Sequence, residues 1–108
     1  MNIQELVRFH RNRWIANGDY GMPDITDCLD FMTTEIAEAI DKRLRLDPKY
    51  IRNNHKDVTI RDLAIEIFDC MMMGCTALDI LGYDLFDIAK EKLARMDAKR
   101  GICTDDTV

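Results

Sequence analysis

Glycine and proline are scarce, at five and two in 108 residues, which excludes collagen-like and Pro/Gly-rich sequence. Histidine is as scarce as proline: His10 and His55 stand alone, and no Glu-x-x-His motif of the diiron-bundle kind occurs. The four cysteines, Cys28, Cys70, Cys75 and Cys103, form no C-x-x-C pair, so a structural zinc site lacks its ligand set. Cys28 and Cys70 fall in apolar stretches and read as small buried hydrophobes. No apolar run approaches the roughly 20 residues of a membrane span, and the opening Met1–Gln4 carries no signal-peptide pattern. These absences predict a soluble, cytoplasmic chain with no membrane partner. An excess of basic charge is also missing: 15 Lys and Arg stand against 20 Asp and Glu, for a net charge of -5. Nucleic acid is therefore not the expected partner, even with Arg8, Arg11 and Arg13 clustered near the start.

With 47% hydrophobic and 32% charged residues, the chain suits one globular domain, read here as residues 1–101 with a flexible tail over 102–108. Apolar periodicity predicts four helices. The first spans about Asn2 to Ile15, with Ile3, Leu6, Val7, Phe9 or His10, and Trp14 as its packing stripe and Arg8, Arg11 and Arg13 pointing outward. The second starts near Asp24–Thr26 and runs to about Leu46. Asp47-Pro48 then makes a break, Tyr50 and Ile51 suggest a short extra turn, and Arg52–Asp57 reads as a connection. The third begins at Val58 or Thr59 and ends at Leu81 before Gly82. Leu63, Ile67, Cys70, Met71, Gly74 and Leu78 give it one broad apolar side, which Ile60, Ala64, Phe68, Met72 and Cys75 widen. So much apolar circumference in a short chain predicts burial against another subunit. The fourth runs from about Asp84 to Lys99 and stops at Gly101. No stretch alternates as a strand does, so the fold class is all-α, with long antiparallel helices in a bundle completed by oligomerisation.

Two acidic pairs interrupt these helices: Glu35-Ile36-Ala37-Glu38 in the second and Glu66-Ile67-Phe68-Asp69 in the third. Residues three apart project from nearly the same helix face, so antiparallel packing would converge four carboxylates. Glu66 and Asp69 lie in the most apolar helix, where a free charge is costly. Clustered carboxylates repel unless cations neutralise them, and an all-oxygen donor set favours Mg²⁺, or Mn²⁺. Asp41 and Asp62, one turn further out on each helix, are candidate accessory ligands or surface acids.

The order of these motifs resembles the MazG-like all-α nucleoside triphosphate pyrophosphohydrolases, whose signature is Glu-Glu-x-x-Glu, a spacer, then Glu-x-x-Asp. Thr34-Glu35-Ile36-Ala37-Glu38 is similar to the first half, with Thr34 where the family often has a glutamate. Glu66-Ile67-Phe68-Asp69 matches the second, and Lys90–Arg100 is similar to the family's basic ending. The likeness covers about Ile3 to Arg100. It implies hydrolysis of ribo- or deoxyribonucleoside triphosphates between the α and β phosphates, with Glu35, Glu38, Glu66 and Asp69 holding Mg²⁺ and serving the chemistry. Phosphate not reached by metal needs positive partners: Lys92 and Arg95 are the first candidates, Lys99 or Arg100 the reserves, and Lys42, Arg43 and Arg45 further candidates. His10 and Trp14, with Phe31, become candidates for the base, and a homodimer or homotetramer is the expected assembly. The contrasting expectation is a non-catalytic helical dimer with an interaction or regulatory role, which would show no stabilisation by divalent ions.

Overall fold

In the computed structural model the chain forms four α-helices: α1 (Ile3–Ala16), α2 (Ile25–Leu46), α3 (Ile60–Leu81) and α4 (Leu85–Lys99). The structure describes residues 1–47, 49 and 58–103, and among these there is no strand. The expected break at Pro48, the turn at Tyr50–Ile51, the Arg52–Asp57 connection, His55 and residues 104–108 of the expected tail lie outside the described residues.

Each helix starts where a side chain satisfies an orphan backbone amide. Asn2, Asp24, Thr59 and Asp84 accept from the N–H groups of Glu5, Asp27, Asp62 and Asp87 respectively. At α2 and α3 the third helical residue returns the bond, closing the capping boxes Asp24/Asp27 and Thr59/Asp62. The C-termini of α3 and α4 close on glycines in the left-handed region, Gly82 at φ 80° and Gly101 at φ 69°. Beyond Gly82, the Tyr83 N–H donates to the Leu78 carbonyl, and beyond Gly101 the Ile102 N–H donates to that of Asp97.

The α2/α3 hairpin is the body of the protein. Its helices run antiparallel: the Cys70 thiol lies 3.9 Å from the Met32 carbonyl oxygen, and the Met32 side chain covers Gly74. Cys28 is fully buried, and with Met73 and Ala77 it forms the core, against which Ile25, Met32 and Met72 pack. All four cysteines are free thiols.

The face of α1 is the expected one only at Val7. Gln4, Val7 and Arg11 are buried, while Ile3, Leu6, Phe9 and Trp14 are exposed. The reason is Asp79 near the end of α3. Its carboxylate accepts from Gln4 at 2.8 Å, from Arg8 at 2.7 and 3.1 Å, and from Arg11 at 2.8 Å. Arg11 also donates to the Thr76 hydroxyl at 3.1 Å. Arg11 is thus 4% exposed rather than an outward cation, because a carboxylate and a hydroxyl replace its water. Gln4 further donates to the Tyr83 carbonyl and accepts from the Leu85 N–H, tying α1 to the α3–α4 corner.

Outside this pin the chain is open. Its radius of gyration is 17.6 Å, against about 13 Å for a compact domain of this length, and α4 buries none of its residues. Ile36, Ile40, Leu63, Ile67 and Met71 line an apolar groove along the hairpin. A second groove shares Met71 and continues past Leu29, Gly74 and Leu78 to Leu85.

Candidate metal centre

None of the clustered carboxylates lines the groove. On α2, Glu35 and Glu38 lie about 100° and 160° around the helix from Ile36, and the antiparallel register sets them against the first half of α3. Glu35, Glu38 and Glu66 each bring one carboxylate oxygen to within 4.8 Å of the others, a trio able to hold a metal ion. Glu35 and Glu66 are half-buried and Glu38 is exposed.

Electrostatic strain marks the trio. Burial raises the Glu35 pKa above the usual carboxylate value, and the Glu38 charge, a hydrogen bond shared with Glu38, and the Asp69 and Glu66 charges push the same way. Burial likewise raises that of Glu66, reinforced by Asp69 and Glu38 and opposed by Lys42. The Glu66 Oε2 atom is buried and has no hydrogen-bond partner, which is costly for a carboxylate oxygen unless a cation or donor meets it. The donor set is all oxygen, the kind that suits a hard divalent ion.

Asp69 is half-buried one turn beyond Glu66. It lies outside the trio yet near enough for its charge to act on both Glu35 and Glu66. The fourth expected ligand is therefore a neighbour of the cluster rather than a member. Of the accessory acids, Asp62 is engaged by the Thr59 cap and Asp41 pairs with Arg45 at 2.9 Å.

The expected nucleotide contacts stand elsewhere in the protomer. Arg95 pairs with Glu91 at 2.9 Å on the exposed face of α4, and Lys92 is exposed on the same helix. His10 and Trp14 belong to an aromatic row on α1: the His10 ring lies 5.4 Å from that of Phe9 and 6.2 Å from that of Trp14, which meets Tyr20 edge-on at 5.7 Å. Phe31 is exposed on α2. Lys42 is the cation whose charge reaches Glu66. Its spacing from Glu35 and Glu38 would have singled it out from the other basic residues of α2.

The chain matches no protein-family profile, no curated protein and no solved structure. Among the described residues no helix is long and apolar enough to cross a membrane.

Proposed function

We propose that this chain is a metal-dependent nucleoside triphosphate pyrophosphohydrolase of the MazG-like kind, releasing a nucleoside monophosphate and pyrophosphate. The observation that carries the reading is the buried, unpartnered Glu66 oxygen inside a trio of mutually repelling glutamates. Carboxylates arranged this way are matched to a divalent cation, and the likeness of the two acidic motifs to the family's signature supplies the reaction. Glu35, Glu38 and Glu66 would hold Mg²⁺, with Mn²⁺ as a substitute, and the ion when bound would neutralise phosphate charge that the carboxylates alone repel.

Asp69, outside the trio but electrostatically joined to it, is the carboxylate left to orient a water and take its proton. Hydrolysis consumes that water and breaks the bridging P–O bond between the α and β phosphates. The bridging oxygen departs with pyrophosphate. Lys92 and Arg95, and the His10–Trp14 row, remain the proposed phosphate and base contacts.

A second copy closing over the apolar groove, in a homodimer or homotetramer, belongs to the same proposal. Ile36, Ile40, Ile67 and Met71 are each about half exposed in the protomer. None of the three glutamates lines the groove, so a copy seated there need not cover them.

Product analysis tests the activity. The protein is incubated with ribo- and deoxyribonucleoside triphosphates and with Mg²⁺, Mn²⁺ or chelator, beside a Glu66→Gln variant. Metal-dependent monophosphate plus pyrophosphate, lost in the variant, is the expected result. Diphosphate plus phosphate would overturn the proposed bond while keeping the metal centre. No turnover, together with intact self-association, would leave a helical interaction protein in its place.

A further inference from the structure

The hairpin's register continues past the glutamates. Met32 meets Cys70 and Gly74, and one to two turns on Glu38 meets Glu66. Each turn toward the end of α2 is a turn back toward the start of α3. The next rung sets Lys42, one turn after Glu38, against Asp62, one turn before Glu66.

We propose that Lys42 is the protomer's own phosphate-binding cation, set at the edge of the carboxylate trio to take a phosphate of the bound triphosphate; this rests on the function proposed above. Lys42 is half-buried and makes no ion pair within 4.0 Å among the described residues. The acid facing it, Asp62, feels the Lys42 charge but spends its hydrogen bonds on Thr59, accepting from the N–H at 2.8 Å and from the hydroxyl at 3.0 Å. Its basic neighbours are committed differently: Arg45 holds Asp41, and Arg43 lies along the apolar groove. The Lys42 charge already counters the upward push on the Glu66 pKa, which places it within electrostatic reach of an ion held there.

The chemistry fits the position. A triphosphate brings several negative charges to a site that is itself acidic, so a divalent ion needs a further positive partner. An ammonium on a flexible four-carbon stem is a compact point charge with three donors, and it can follow a phosphate without a fixed fork geometry.

The probe is inorganic pyrophosphate, titrated calorimetrically into the full chain at saturating Mg²⁺, with triphosphate kinetics alongside. Lys42→Met is expected to weaken pyrophosphate binding and raise KM about tenfold, the scale of one charge-assisted hydrogen bond. Mg²⁺ affinity should stay level or rise, because a positive neighbour of the ion is gone. Lys42→Arg, which keeps the charge, should retain most of the binding and guards against a misfolded variant. Pyrophosphate binding by Lys42→Met equal to that of the unaltered chain overturns the assignment and makes Lys42 a charge balance for Glu66. If the unaltered chain binds pyrophosphate with Mg²⁺, Lys42→Met loses it, and neither turns over triphosphate, the assignment stands and the hydrolase reading falls. No pyrophosphate binding by the unaltered chain overturns the assignment outright.

Discussion

Glu66 is the residue on which stability and chemistry disagree. Without a cation, its half-buried carboxylate meets Glu35, Glu38 and Asp69 and leaves one oxygen unpaired. Glu66→Gln removes a charge from that crowd, so it should raise the melting temperature in chelator, and the stability that Mg²⁺ is expected to add to the unaltered protein should be absent from the variant. At a concentration 100 times its dissociation constant, an ion that binds only the folded state contributes about 2.7 kcal/mol. Thermal melts of both proteins with and without Mg²⁺ check this. An equal Mg²⁺ increment in the two would remove Glu66 from the ligand set.

Asp79 is the opposite case. Burial works to raise its pKa, but the hydrogen bonds and charges of Arg8 and Arg11 outweigh burial and hold the carboxylate below its ordinary range. A carboxyl depressed on folding stabilises the native state above its unfolded pKa, about 3.9, and that contribution disappears as the pH falls through the lower folded value. Asp79→Asn should therefore cost about 3 kcal/mol at neutral pH, since it leaves buried Arg11 without its counter-charge. The cost should shrink below about pH 4, where the unfolded carboxyl takes up a proton, and disappear at the lower pH where the native one follows. Denaturant unfolding of both proteins at pH 7 and pH 3 reads the difference, and a cost that does not change with pH would deny Asp79 its ionised role.

At the scale of the helices, the sequence is most legible at the ends. Asp24, Thr59, Asp84, Gly82 and Gly101 all punctuate helices within a residue of where capping and turn chemistry place them. Local backbone hydrogen bonding decides those positions, and local sequence records it. The two acidic pairs were legible for the same reason: three-residue spacing and antiparallel packing bring Glu35, Glu38 and Glu66 together whatever the rest of the chain does. Asp69 falls just outside because meeting across a hairpin depends on side-chain reach as well as on helix phase.

The face of α1 was not legible. Its apolar stripe is the stronger pattern, yet Gln4 and Arg11 turn inward because Asp79, some seventy residues away, offers a better bargain for their polar groups than water does. Long-range charge pairing has no signature within fourteen residues of helix. Lys42, one turn after Glu38, carried a spacing signal within α2, but its reach to Glu66 depends on the register across the hairpin.

Two glycines on α3 separate backbone from packing. Gly82 sits at φ 80° with open space around it, so Gly82→Ala should cost about 1 kcal/mol through left-handed strain alone. Gly74 is helical, and a methyl there would meet the end of Met32 at an ordinary 3.7 Å. Within the protomer, Gly74→Ala should gain up to about 1 kcal/mol of helix propensity. Equilibrium unfolding of the pair tests the assignment, which fails if the two substitutions act in the same direction.

The whole molecule is a hairpin with a pinned first helix, an outlying fourth helix and a long apolar groove. Its solvent-accessible surface is 8321 Å², against about 6,200 Å² for a compact monomer of its mass. A protomer this open is expected to self-associate. Ile67→Glu, within the groove, should shift light-scattering mass toward the monomer, whereas Glu66→Gln, its immediate neighbour in sequence but outside the groove lining, should leave the mass unchanged. A monomeric parent chain would contradict the proposed assembly directly.

The separation of the acid cluster from the apolar groove also sets the hairpin's response to ionic strength. Added salt screens repulsion among the exposed and half-buried carboxylates, within a Debye length of about 8 Å at physiological strength. Sulfate and similar ions strengthen apolar burial as well, and the enclosed Arg11–Asp79 pair, unlike the exposed Arg8 one, loses little to screening. Cluster and groove are thus pushed toward order by the same solvent change, and this acidic chain should be at its firmest in brine rather than in dilute buffer.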